Sequence, residues 1–314
     1  MMGPWSAVVD FGLVHPLAYL ACREGGGPLL ETLATIVADT TFGVVEIAPI
    51  PDPAIRADAA ALLRDAALQV VYLPILPIIF TDLGIGSLDD AARAAALERL
   101  RALIDEAIVF DAPLAMVTGP RDPGPALREA VTARLAADLA ALCDYADARS
   151  RGRRLHLTLE HFDRDVEKKR LIGPTVEAIA LVERVGRENF GLTLDLSHLP
   201  LLGESATDAT RIAAPHLLHA HIGNCVVDHP DSPAYGDFHP LFGHPEGRND
   251  LPEVVDFLEC LAAVDFYGRA RARLGGTPIL SMEIKADAPD LASGTVAIAN
   301  GKRTFQRAWA RAGG

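Results

Sequence analysis

Four segments of the sequence run apolar and then end on a residue able to bind a metal or carry a proton. They read Leu-His-Leu-Thr-Leu-Glu160, Phe-Gly-Leu-Thr-Leu-Asp195-Leu-Ser-His198, Leu-Leu-His219-Ala-His221-Ile and Ile-Leu-Ser-Met-Glu283-Ile. In an extended strand alternate residues share a face, which groups Thr158 with Glu160, Thr193 with Asp195, His219 with His221 and Ser281 with Glu283. A carboxylate at the end of a buried strand is costly to desolvate, and three converging on one axis raise each other's pKa values. A divalent cation removes that conflict. Glu160, Asp195, His221 and Glu283 together make an oxygen-rich donor set without thiolate, which favours Mn2+ or Mg2+ and leaves Co2+ and Zn2+ open. Any one of them alone reads equally well as a strand-end ion pair; four at equivalent depth in successive strands favour one metal ion.

Gathering four strand ends around one axis requires a closed array of parallel strands. Short β-branched runs at 7–13, 43–47, 69–73, 114–118, 155–160, 190–195, 217–222 and 279–284 are the strand candidates. Most are apolar until their last residue or two, as in parallel sheets covered on both faces. Between them lie amphipathic segments at 29–39, 53–67, 89–110, 125–149, 175–185, 206–213 and 252–263, and a last one running toward Trp309. Asp250-Leu-Pro-Glu253 reads as a capping box with Pro in the first turn, and Ser87-Leu-Asp-Asp90 as another helix start. Eight β/α units in 314 residues predict a single-domain (β/α)8 TIM barrel over 1–314. The rival, an open doubly wound sheet, lacks its Gly-x-Gly-x-x-Gly after the first strand, where Gly12 stands alone.

One connection is out of scale. Residues 223–250, rich in Pro, His, Asp and Gly, far exceed the roughly two to six residues usual for a βα loop. In a barrel this loop lies over the catalytic mouth, as a lid, an oligomer contact or a plain surface excursion.

The formal net charge of −13 disfavours nucleic acid and anionic membranes as partners. No apolar stretch reaches the roughly 18–20 residues that span a bilayer, and the N-terminal residues lack a signal-peptide pattern. Cys22, Cys143, Cys225 and Cys260 stand far apart, which gives neither a CxxC zinc site nor a disulfide framework and suits a reducing, cytoplasmic setting.

The series Glu, Asp, His, Glu at the ends of strands five to eight resembles the xylose-isomerase-like TIM barrels, the sugar isomerases, epimerases and related enzymes. The matching pieces are Leu-Thr-Leu-Glu160-His-Phe-Asp, Leu-Asp195-Leu-Ser-His198, His219-Ala-His221-Ile-Gly-Asn and Ser-Met-Glu283-Ile-Lys. The resemblance implies that Glu160, Asp195, His221 and Glu283 are the metal ligands and that His198 touches substrate beside the metal. It also implies a carbohydrate substrate processed through an enediolate, with Glu160 and Glu283 removing and returning the proton. His198 is open to a second role, supporting Asp195 from behind. Relatives are often dimers or tetramers, so a homo-oligomer is expected, with a hetero-oligomer open.

The pattern departs from the sugar epimerases at Val227, where they carry a substrate-binding arginine six residues past the metal histidine. The loop that follows resembles relatives that cleave oxidised C-glycosides or decarboxylate oxo sugar acids, so a lyase acting on a keto sugar stands as the alternative. A barrel serving only as a sugar-binding or partner subunit is a third reading. An apurinic endonuclease would need more metal ligands and a basic groove.

Other pocket candidates are His15 after strand one and Glu46 near the end of strand two, each equally suited to bracing the barrel. His219 reads as a packed interior histidine. The charge-alternating stretch 163–174 reads as a solvated loop, from which Lys168 is the cation chosen for substrate binding.

Overall fold

A computed structural model describes residues 3–313. The strands are β1 (Asp10–Val14), β2 (Val44–Ile47), β3 (Gln69–Tyr72), β4 (Leu114–Val117), β5 (His156–Glu160), β6 (Phe190–Asp195), β7 (Leu217–Gly223) and β8 (Ile279–Glu283). They pair in parallel in chain order and close, β8 against β1, into the expected eight-stranded barrel. Short helical turns α1 (Trp5–Val8) and α2 (His15–Ala18) flank β1. The helices that follow are α3 (Leu29–Val37), α4 (Pro53–Asp65), α5 (Ile75–Phe80), α6 (Asp90–Val109), α7 (Arg128–Arg149) and α8 (Thr175–Val185). After β6 come α9 (His198–Leu202) and α10 (Ala206–Ala213), then α11 (Leu251–Ala263), α12 (Phe266–Leu274) and α13 (Leu291–Ala312). Among the described residues no helix is long and apolar enough to cross a membrane.

Local chemistry accounts for the helix starts. Asp52 accepts from the N–H groups of Ala54 and Ile55 at 2.8 and 3.3 Å, with Pro53 opening α4. Asp89 caps α6 in the same way. The capping box at α11 forms as the sequence predicts, with Glu253 accepting from the Asp250 N–H at 2.8 Å.

The first strand is shorter than its apolar run. Residues 7 and 8 belong to α1, because Trp5 packs edge-on against Phe305 of α13 at 5.7 Å and curls this segment across the barrel's end. Tertiary packing overrides strand propensity there. Past β3 the apolar run leaves the sheet: Pro74 follows the strand's end and residues 75–80 turn into α5.

The register fixes which residues face the axis. Inward pairs run Gly12–Val44, Val14–Glu46, Glu46–Val71, Val71–Leu114, Leu114–His156, Thr158–Gly191 and Asp195–His221. The interior is therefore divided. Val14, Val44, Val71, Leu73, Leu114 and Met116 form an apolar cluster separate from the larger core between strands and helices. The β5–β8 side carries the Thr, His, Asp and Glu residues. Between β6 and β7 the register slips: Leu192 pairs with Leu217 but Thr193 with His219. This bulge sets His219 and His221 in line with the site.

Gly191 makes the bulge possible, since a Cβ there would lie 2.6 Å from Leu218 Cδ1 and 2.7 Å from the His216 carbonyl oxygen. Gly191→Ala should therefore lower unfolding stability by roughly 1–3 kcal/mol through overpacking. Gly26→Ala, with nothing within 4 Å, should leave it unchanged. Denaturant midpoints of the two variants check this, and equal midpoints would overturn it.

Candidate metal centre

The last inward residues of β5, β6, β7 and β8 are Glu160, Asp195, His221 and Glu283. Each offers one ligand atom, and these four atoms lie within 4.8 Å of one another. His221 Nδ1 is 2.6 Å from Glu283 Oε2, 3.3 Å from Glu160 Oε1 and 3.9 Å from Asp195 Oδ2. Those same four atoms are buried without a hydrogen-bond partner. Buried polar atoms nearly always find a partner. Four orphans from three acids and one imidazole, all facing one point, fit the donor set of a divalent cation.

The electrostatics show the strain of this arrangement. Burial and then the neighbouring Glu283 charge push the Glu160 carboxyl up to about 7. Burial also opposes ionisation of Glu283, but His239 and His221 hold its pKa down at about 2. The two glutamates thus sit in opposite environments within one cavity.

A second layer orients the ligands. Glu46 Oε1 accepts from His221 Nε2 at 3.0 Å, which leaves the Nδ1 lone pair for the ligand cluster. Burial works against the Glu46 carboxylate, yet His221 and His219 hold its pKa well below the ordinary range. Glu46 thus contacts both histidines of β7 from within the barrel. His219 lies 3.0 Å from the same Glu46 oxygen and 3.3 Å from Thr193 Oγ1, fully buried, as a packed interior histidine.

His198 opens α9 and is anchored by donating Nδ1–H to the His161 carbonyl at 2.9 Å. Its Nε2 faces Asp195 Oδ2 at 3.6 Å and Asp237 Oδ2 at 3.3 Å, while its ring packs on Phe162. It does not line the cavity, and its nearest acids are Asp195 and Asp237. Burial penalises its charge, but Asp237 and Asp195 outweigh that and raise its pKa well above the usual histidine value.

The long loop after β7 folds back into the mouth and is no plain surface excursion. Val226 bridges Gly236, Asn249 donates to the carbonyls of Leu196 and Gly223 at 3.1 Å each, and the tip between them turns inward. That tip delivers Asp237 and His239, which are 4% and 5% exposed. His239 Nε2 lies 3.0 Å from Asp237 Oδ1 and 3.3 Å from Glu283 Oε1, on a backbone held at φ +49°. A non-glycine residue in the left-handed region is held there by its surroundings. Asp237 appears in the sequence as one acid among many in an aperiodic loop, and nothing local distinguished it.

The remaining candidates part company. His15 is fully buried and bonded through Nε2 to Thr32 Oγ1 at 2.9 Å, off the cavity wall, and burial lowers its pKa to about 3. Lys168 reaches the cavity, but its ammonium is already held by Glu167 at 2.8 Å and Asp237 at 3.3 Å. The stretch expected to be a solvated loop is instead built in. Asp163, 1% exposed, accepts from the N–H groups of Val166, Glu167 and Lys168, and Arg170 is also 1% exposed.

All of this surrounds a cavity of about 420 Å³ at the C-terminal face of the barrel. Glu160, His221, Glu283 and His239 line one side; Leu73, Ile75, Ile79 and Met116 line the other.

Comparison with known proteins agrees with this fold. No curated protein sequence matches the chain. In fold it is similar to a D-tagatose 3-epimerase-like protein at TM-score 0.70 and 15% identity, covering 96% of this chain and 99% of that one. It is similar to an L-ribulose 3-epimerase at TM-score 0.68 and 20% identity, covering 97% of both chains. A D-psicose 3-epimerase from Clostridium cellulolyticum H10 gives TM-score 0.66 and 17% identity, covering 96% of this chain and 98% of that one. The sequence profile described as xylose isomerase-like TIM barrel matches residues 35–264, and the chain belongs to that family.

Proposed function

We propose that the protein is a divalent-metal-dependent carbohydrate enzyme that isomerises or epimerises a keto sugar or sugar acid by moving a proton beside its carbonyl. The observation carrying this reading is the convergence of four partnerless ligand atoms within 4.8 Å, on residues three of which also line the cavity. The likeness in fold to sugar 3-epimerases supports it. Glu160, Asp195, His221 and Glu283 would hold the ion, and their oxygen-rich set favours Mn2+ or Mg2+. When bound, it supplies Lewis-acid polarisation of the carbonyl and compensates the negative charge that develops on the substrate.

The chain's own residues do the rest. Glu160 and Glu283 both reach the cavity and are the groups placed to take a proton from carbon and return it. Asp195 is held in place by the Ser197 N–H at 2.7 Å, with His198 behind it. His239, on the wall beside Glu283, is available to hydrogen-bond a substrate oxygen. That last feature favours the second reading, a lyase on a keto sugar. Cleavage needs a proton donor for its leaving group, and the long loop brings one to the wall. Product identity by NMR decides between them: an isomer of equal mass supports the first reading, a smaller fragment the second.

Calorimetric titration of the metal-stripped protein with Mn2+ should show a single site. Glu46→Gln should weaken it by about 10–100-fold, because His221 loses its orienting partner. Unchanged affinity would remove Glu46 from this role. For the proton transfer, product formed in D2O should carry deuterium at the carbon beside the carbonyl. Glu160→Gln and Glu283→Gln should each lower turnover by about 10²–10⁴-fold. Deuterium-free product points to hydride transfer instead, and turnover that survives either substitution with metal retained sinks the base assignment.

A further inference from the structure

The cavity contains an arginine that no carboxylate neutralises. Arg170 is 1% exposed and lines the cavity; its Nη2 donates to the Ile79 carbonyl at 3.1 Å, while Nε and Nη1 are buried without a partner. Among the described residues no acid lies within 4.0 Å of its guanidinium. A buried guanidinium with two empty donor groups is costly unless something anionic completes it.

The backbone around it is built to hold that position. The loops after β4 and β5 are stitched together by an antiparallel bridge between Arg121 and Arg170, with Leu171 N–H to the Pro120 carbonyl and Asp122 N–H to the Lys169 carbonyl, each 2.9 Å. The bridge sets two arginines directly opposite one another, a like-charge pairing that destabilises unless an anion joins them. Among the described residues Arg121 has one ion pair, with the exposed Asp82 at 3.9 Å. Arg23 and Lys285 also line the cavity, resting on the rings of Phe80 and Phe238 rather than on acids. In a chain of net charge −13 this is a local reversal of sign. The wall beside it, Ile75, Leu76, Ile79 and Phe80, is apolar, and low dielectric strengthens any charge pairing made there.

We propose that Arg170, with Arg121 beside it, is an anion-binding subsite, and that the substrate is a keto sugar carrying a carboxylate or a phosphate. The reading rests on the proposed function in one respect: the substrate's carbonyl end lies at the Glu160–Glu283 cluster while its anionic end meets the guanidinium. An arginine offers two parallel N–H groups to such an oxyanion, which a lysine cannot. Lys168, three-way paired with Glu167 and Asp237, serves the loop instead.

The test uses three ketohexoses that differ only at carbon six: D-fructose, D-fructuronate and D-fructose 6-phosphate. Their affinities are measured by calorimetry on the full chain, with and without Mn2+. At least one anionic probe should bind 10-fold or more tightly than D-fructose, and which one does identifies carboxylate or phosphate as the preferred group. Arg170→Met should abolish that preference with Mn2+ affinity unchanged; Arg170→Lys should retain only part of it. If Arg170→Met fails to fold, Arg121→Met, on a side chain 60% exposed, should still reduce the preference several-fold. Equal binding of all three probes, no binding of any, or a preference indifferent to both arginines overturns the subsite. Absent Mn2+ binding with an Arg170-dependent preference leaves the subsite standing and removes the metal reading. Mn2+ binding without the preference does the reverse.

Discussion

Three carboxylates, the buried Glu160 and Asp195 and the largely buried Glu283, meet at one end of the barrel, and the surrounding structure is organised by the repulsion between them. Water cannot screen them there, so each needs a compensating group within a few ångströms. His221 meets all three. Glu46 in turn fixes His221, and His219 shares the same Glu46 oxygen. On the other flank the signs alternate from Lys168 through Asp237 to His198 and His239. The pattern is a buried lattice of opposite charges whose centre, four partnerless donor atoms, is the place a cation fits.

The barrel makes this lattice affordable by confining it to one side. Inward residues of β1 to β4 are mostly apolar and those of β5 to β8 mostly polar, so the cavity has a dry wall and a charged one. The apolar wall continues through Ile75, Leu76, Ile79 and Phe80 of α5, and low dielectric there strengthens the electrostatics opposite. The same pocket holds two kinds of chemistry, with acids and imidazoles at the strand ends and two arginines on the loops after β4 and β5, of which Arg170 has no acidic partner.

Rigidity comes from short connections and pinned loops rather than from the strands alone. Asp163 gathers three successive N–H groups, Asn249 ties the long loop to the ends of β6 and β7, and His239 is held in a left-handed backbone conformation. These devices set side chains that no strand could deliver. Within the charged segment 163–170, Asp163 is satisfied by backbone N–H groups and Lys168 by Glu167 and Asp237.

The sequence by itself determined the barrel and the four-residue cluster. Strand alternation and chain order are strong constraints: an apolar run that ends on an acid, repeated in successive β/α units, must bring those acids to one rim. Glu46 was visible as a strand-end acid, but its pairing with His221 spans 175 residues and depends on closure of the barrel. The tertiary structure alone decided what the loops contribute. Asp237 and His239 enter the site only because the loop after β7 folds inward. Arg170 rather than Lys168 lies without an acidic partner, and His198 and His15 make their contacts away from the cavity wall. Loops have no period, and the choice among neighbouring charges is made by which partners the fold brings within a few ångströms.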